Sequence, residues 1–185
     1  MSKSVSLNKP KLSVGVQVLA TLIAIAAAFV LPQLFHYIGR VSGVGKSLGV
    51  MFCPMHFPVI LVGILAGPFA GAATGLLSPL VNSLLTGMPA GLSLPLMMVE
   101  LFGYGLAAGV LRNVRMDCVF KVFIAQIAGR VLRNIAVIIA IYAFGQKTPM
   151  FKIWMDVPGA GIGLAMQLVM IPLIVMLVDR HSEKK

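Results

Sequence analysis

Glu100 stands inside an apolar run, residues 94–111, long enough to be a membrane helix, with Met97 and Tyr104 three and four positions away on the same face. A carboxylate there is costly and must face the protein interior, where it either ligates something or is paired. The next apolar run supplies partners: Gln126, Arg130, Arg133 and Asn134 fall within one arc, at offsets of four, seven and eight from Gln126. Antiparallel neighbours bring Glu100 close in depth to Arg133. Two guanidiniums against one carboxylate leave one positive charge over, which favours an anionic or acceptor-rich ligand unless one arginine turns to a backbone carbonyl. A structural Glu–Arg pair and a ligand site are equal readings of these residues.

Thr74, Ser78, Asn82 and Thr86 recur at intervals of four and form a second polar stripe. Hydrogen bonding between membrane helices accounts for Thr74 and Ser78, whereas Asn82 lies near the end where a pocket would open. His56 is a lone histidine at a helix end. His36 and His181 assemble no metal site with it, which leaves packing at an interface or lining a pocket mouth. The twelve methionines read as adaptable packing. Cys53 and Cys118 lie far apart, which argues against a disulfide or a metal site. Gly-x-Ser-x-Gly and His-Glu-x-x-His are missing, and no second acid neighbours Glu100. An intramembrane enzyme is therefore disfavoured. A proton-coupled transporter with Glu100 as proton carrier is the alternative kept open.

The elements that must position these residues are membrane helices. Of the 185 residues, 59% are hydrophobic and only 11% charged, more apolar surface than a soluble domain of this size can bury. The expectation is an all-α, polytopic bundle forming one membrane domain over residues 1–185. The first apolar run exceeds a signal-peptide core and stays as a helix. Residues 13–37, 94–111, 119–144 and 158–178 each suffice for a hydrocarbon core of about 30 Å at about 1.5 Å per residue.

Residues 57–86 are either one kinked span or two, divided at Gly67-Pro68, and the charges decide. With a cytoplasmic N-terminus, the basic connection holding Arg112, Arg115 and Lys121 is inside again only after an odd number of further crossings. Spans at 57–66, 69–86 and 94–111 satisfy this, giving six crossings with both termini cytoplasmic. Nine of the fifteen Lys and Arg then lie inside and four outside. The net charge of +10 thus reports orientation rather than a nucleic-acid partner. The short span 57–66 reaches only about 15 Å and must be tilted or enclosed by protein.

Three outer connections converge on one mouth in this topology. Residues 39–55, with Gly39, Gly43, Gly45 and Gly49 for freedom and Pro54 at the end, read as a lid. Residues 87–91 form a tight turn, and 145–157 form a second long loop carrying Trp154. Ala20, Ala24 and Ala28 make a small-residue ridge that admits another helix, on the residues alone one of this chain. Gly63, Gly67, Gly71 and Gly75 make a second such series.

Taken as a set, several motifs resemble the substrate-binding subunits, or S components, of energy-coupling factor (ECF) transporters. They are Ala20-x-x-x-Ala24, Pro54-Met55-His56-Phe57-Pro58-Val59, Gly67-Pro68 with Gly71, Ser78-Pro79-Leu80, Gly87-Met88-Pro89, and Glu100-Leu101 with Tyr104-Gly105. The resemblance covers residues 14–178. It implies a multi-pass protein of the bacterial plasma membrane that captures a water-soluble vitamin or vitamin precursor in an outward-facing pocket. Asn82, Glu100, Tyr104, Arg130, Arg133, Asn134 and His56 are the substrate-binding candidates. The resemblance further implies that Ala20, Ala24 and Ala28 meet a membrane-embedded coupling subunit, and that two partner ATPase subunits use the ATP. This chain has no Gly-x-x-x-x-Gly-Lys-[Ser/Thr] loop, so no cofactor is expected in it. Ser2 stands where the cobalt and nickel branch carries a metal-binding His, which sets metal import aside. A carboxylate-bearing vitamin such as pantothenate suits the surplus arginine; a pyridoxine-like or pyrimidine alcohol suits Asn82 with Glu100.

Overall fold

The computed structural model describes residues 12–43, 51–144 and 152–182, with side chains for 12–43, 51–143 and 161–180. Among the described residues there are six α-helices and no strand. They are α1 (Val14–Val41), α2 (His56–Ala66), α3 (Pro68–Thr86), α4 (Ser93–Val110), α5 (Cys118–Phe144) and α6 (Lys152–Ser182). The Ser13 hydroxyl caps α1 by accepting the Val16 N–H at 3.4 Å. Gly87, with φ 74°, closes α3 in the left-handed conformation that glycine adopts without strain.

Residues 56–86 are two helices, as the placement of the basic residues requires. Gly67 takes φ 109° between them, and Pro68 opens α3 where a missing N–H costs nothing. The reversal lays α2 and α3 together and both against α4. A β-carbon at Gly63 would stand 2.7 Å from the Gly105 carbonyl oxygen, and one at Gly71 would fall onto that carbonyl. The glycine series is thus a seam at which three backbones approach, with α4 packed by α2, α3 and α5.

Five helices are long and apolar enough to cross a membrane, and α2 is the shorter apolar one. At eleven residues α2 is about 16 Å long. Pro58, Val59, Ile60, Val62, Ile64 and Ala66 are all buried, so protein rather than lipid surrounds most of it. Large apolar side chains point outward instead, among them Leu22 and Val30 of α1, Ile139 of α5, and Val169 and Leu177 of α6. That inside-out distribution is that of a multi-pass membrane protein.

The alanine ridge is spent inside the chain. Ala24 packs with Val62, Ala66 and Ala70, with Ala20 partly buried against the same cluster, and Ala28 joins the main core with Val59 and Leu101. Small side chains let α1 lie close on α2 and α3. Two boundaries also differ from expectation. α1 continues through Val41, which makes Gly39 and Arg40 helical; residues 44–50, the middle of the expected lid, lie outside the described residues. α6 begins at Lys152, ahead of Pro158, so Trp154 sits on a helix rather than in a loop. Pro158 therefore lies inside a helix, as Pro32 and Pro79 do. Residues 145–151 are outside the described residues.

Candidate functional site

The α4–α5 contact builds the polar centre. A β-carbon at Gly103 would lie 2.9 Å from the Gly129 Cα, and one at Gly129 would enter the Tyr104 ring. This approach brings the next residues on α5 against Glu100. Arg130 Nε lies 3.3 Å from Glu100 Oε1, and Arg133 Nε lies 3.4 Å from Oε2. The Tyr104 hydroxyl donates to Oε1 at 2.9 Å. His56 Nε2 is 3.8 Å from the same oxygen, and its ring centroid is 5.1 Å from that of Tyr104. The contact at Arg130 Nε is one of charge without the alignment of a hydrogen bond. Glu100 is only 4% exposed, so two guanidiniums and a phenol replace most of the water it loses.

A cavity of about 610 Å³ opens in front of this cluster, within the range that holds a small organic molecule. Its floor is Glu100, Arg130, Arg133 and His56; Met88, Ala90 and Ser93, at the α3–α4 connection and the start of α4, form an exposed rim. Pro32 and His36 from α1 and Cys53, Pro54 and Met55 ahead of α2 close one side. Asn82 of α3 contributes an amide whose oxygen accepts from Gln33 Nε2 at 3.2 Å. Every contributing element does so from the same end of the bundle, and the basic 3-10 turn Leu111–Asn113 lies at the other.

A family model described as "ECF transporter, substrate-specific component" matches residues 16–176, nearly the whole chain. The chain belongs to that family. Such S components bind a small substrate and associate with a membrane-embedded coupling subunit and ATPases; theirs is not an enzyme family. No curated protein and no solved structure matches the chain.

Within this S component, five of the seven candidate residues line the cavity: Asn82, Glu100, Arg130, Arg133 and His56. Tyr104 is fully buried behind Glu100 and orients that carboxylate instead of facing the void. Asn134 does not line it either. Measured around the helix from Arg130, Arg133 and Asn134 diverge to opposite sides, so a wall built on the first leaves the second out. Gln126 turns to α6, donating to the Leu164 carbonyl at 3.2 Å and to Gln167 Oε1 at 3.3 Å. Thr74 and Ser78 donate to the Ala70 and Thr74 carbonyls of their own helix, a local use in place of a bond to another helix.

Sequence reasoning missed His36, which shares the cavity with His56. It also missed Gly103 and Gly129, whose spacing relative to Glu100 and Arg130 was the available signal. Gln167 was missed as well. It is fully buried and donates to the Cys53 carbonyl at 3.4 Å, tying α6 to the segment that walls the cavity.

Proposed function

We propose that this S component captures a water-soluble vitamin or vitamin precursor in the cavity, held by Asn82, Arg130, Arg133 and His56 around the Glu100 carboxylate. The cavity end faces outward and both termini are cytoplasmic, in a bacterial plasma membrane. Uptake then requires the coupling subunit and the two ATPases that use ATP, since the sequence carries no Gly-x-x-x-x-Gly-Lys-[Ser/Thr] phosphate loop. The observation that carries this reading is a void of about 610 Å³ ending on one carboxylate held between two arginines. Charge-assisted bonds at such a floor strengthen as water leaves.

The test is calorimetry on purified protein against a vitamin panel, with Arg130→Ala and Glu100→Gln as variants. The wild-type chain is expected to bind one member tightly and saturably, and both variants to lose about 30-fold or more in affinity. Unchanged affinity in both variants overturns the site. Flux from the isolated chain in liposomes without the ATPases overturns the importer reading in favour of a proton-coupled transporter.

A further inference from the structure

We infer that Gln167 of α6 is a positioning residue of the binding site: without lining the cavity, it holds the Cys53–His56 turn that forms one wall, and so sets how long a substrate stays. This rests on the binding-subunit reading above.

Cys53, Pro54, Met55 and His56 all line the cavity, and His56 Nε2 reaches to 3.8 Å from Glu100 Oε1. The turn pivots on the Cys53 carbonyl, which accepts the His56 N–H at 3.0 Å and Gln167 Nε2 at 3.4 Å. One acceptor thus ties α6 to the first residue of α2. Cys53 has φ 43°, a conformation that a residue with a side chain keeps only where its surroundings fix it.

The orientation of the Gln167 amide is set from α5. Gln126 Nε2 donates to the Leu164 carbonyl at 3.2 Å and to Gln167 Oε1 at 3.3 Å. A carbonyl only accepts, so Gln126 presents its nitrogen, Gln167 answers with its oxygen, and the Gln167 nitrogen is left for the Cys53 carbonyl. Turning either amide over would set oxygen against oxygen. Gln167 is fully buried, so water cannot take the place of a lost partner.

A second contact presses α6 onto the same segment. A β-carbon at Gly163 would stand 2.5 Å from the Phe52 carbonyl carbon and oxygen. On the other side Phe52 meets Phe35 of α1, with ring centroids 5.1 Å apart. Gly163 and Gln167 are four residues apart on one face of α6, and neither lines the cavity. The segment is clamped between α1 and α6. Loosening the α6 side frees the wall and leaves Arg130 and Arg133 on Glu100.

Two variants of the purified full chain test this: Gln167→Met, which keeps the volume and removes the bonds, and Gly163→Ala, which pushes on the segment. Labelling of Cys53 by N-ethylmaleimide is expected to speed about fivefold or more in both, with Cys118 within about twofold of wild type. Rapid filtration with a radiolabelled panel of water-soluble vitamins, pantothenate, pyridoxine and hydroxymethylpyrimidine among them, reads the second rate. Dissociation of the bound vitamin is expected to speed about fivefold or more, with association within about twofold. A purely structural role lowers the melting temperature and moves neither rate. If Gln167→Met does not fold, Gln126→Met, which removes only the orienting bonds, takes its place. Wild-type values on either readout, in variants that fold, overturn the positioning role and leave the binding-subunit reading standing. A wild-type chain that binds no member of the panel overturns that reading, and the labelling rates alone then decide whether Gln167 holds the turn.

Discussion

At the cavity end of the bundle, Arg130 and Arg133 converge on Glu100 with open space before them; at the opposite end, Arg112 is buried, 8% exposed, and does not line that cavity. Arg112 is packed near Gly67, where α2 turns into α3. Asp179 of α6 supplies the nearby opposite charge, and Lys121 Nζ donates to the Arg112 carbonyl at 2.9 Å. The closed end gathers its charges from a short connection, the start of α5 and the end of α6. The cavity end draws on five helices and leaves the centre open. A buried arginine is therefore no marker of a site; convergence of distant elements around a void is.

The largest break in this contrast comes from Glu100→Ala. It leaves two guanidiniums without their common partner and is expected to cost about 3–5 kcal/mol, read as a loss of thermal stability in detergent. Adding Arg130→Met and Arg133→Met to that variant restores much of the loss but not binding, because the cost lies in unpaired charge. If the single variant is as stable as wild type, the carboxylate does not hold the arginines. Next is Arg112→Ala at the closed end, expected to destabilise by about 1–3 kcal/mol while leaving ligand affinity within about twofold. A large loss of affinity there would mean the two ends are coupled.

Much of this is legible in the sequence. Hydrophobic run length gave the long helices, and the position of three basic residues split 56–86 into α2 and α3, because charge placement constrains the number of crossings. Glu100 with Arg130 and Arg133 was legible because ionised groups in a membrane must find each other. The alanine ridge was harder. Small residues at spacing four say that something packs closely, and only the surrounding helices say what. Likewise Asn134 and Arg133 are adjacent in sequence, and which of them faces the cavity depends on the rotation of α5. That rotation is fixed by Gly103 and Gly129, a contact between two helices that neither helix's own periodicity contains.

The smallest expected effect separates the ends by chemistry and sidedness. Cys53 walls the cavity, and burial, partly offset by Arg130, pushes its thiol up to about 11. Cys118 begins α5 at the closed end. Since only the thiolate reacts, about one Cys53 in a thousand is competent at pH 8, and labelling by a maleimide should rise about tenfold per pH unit until about pH 11. A bound substrate should slow Cys53 labelling and leave Cys118 unchanged. In intact cells a membrane-impermeant maleimide should reach Cys53 alone, with Cys118 following only on permeabilisation. Cys118 labelled first in intact cells would invert the bundle, placing the cavity and its arginines on the cytoplasmic side and removing the basis for capture from outside.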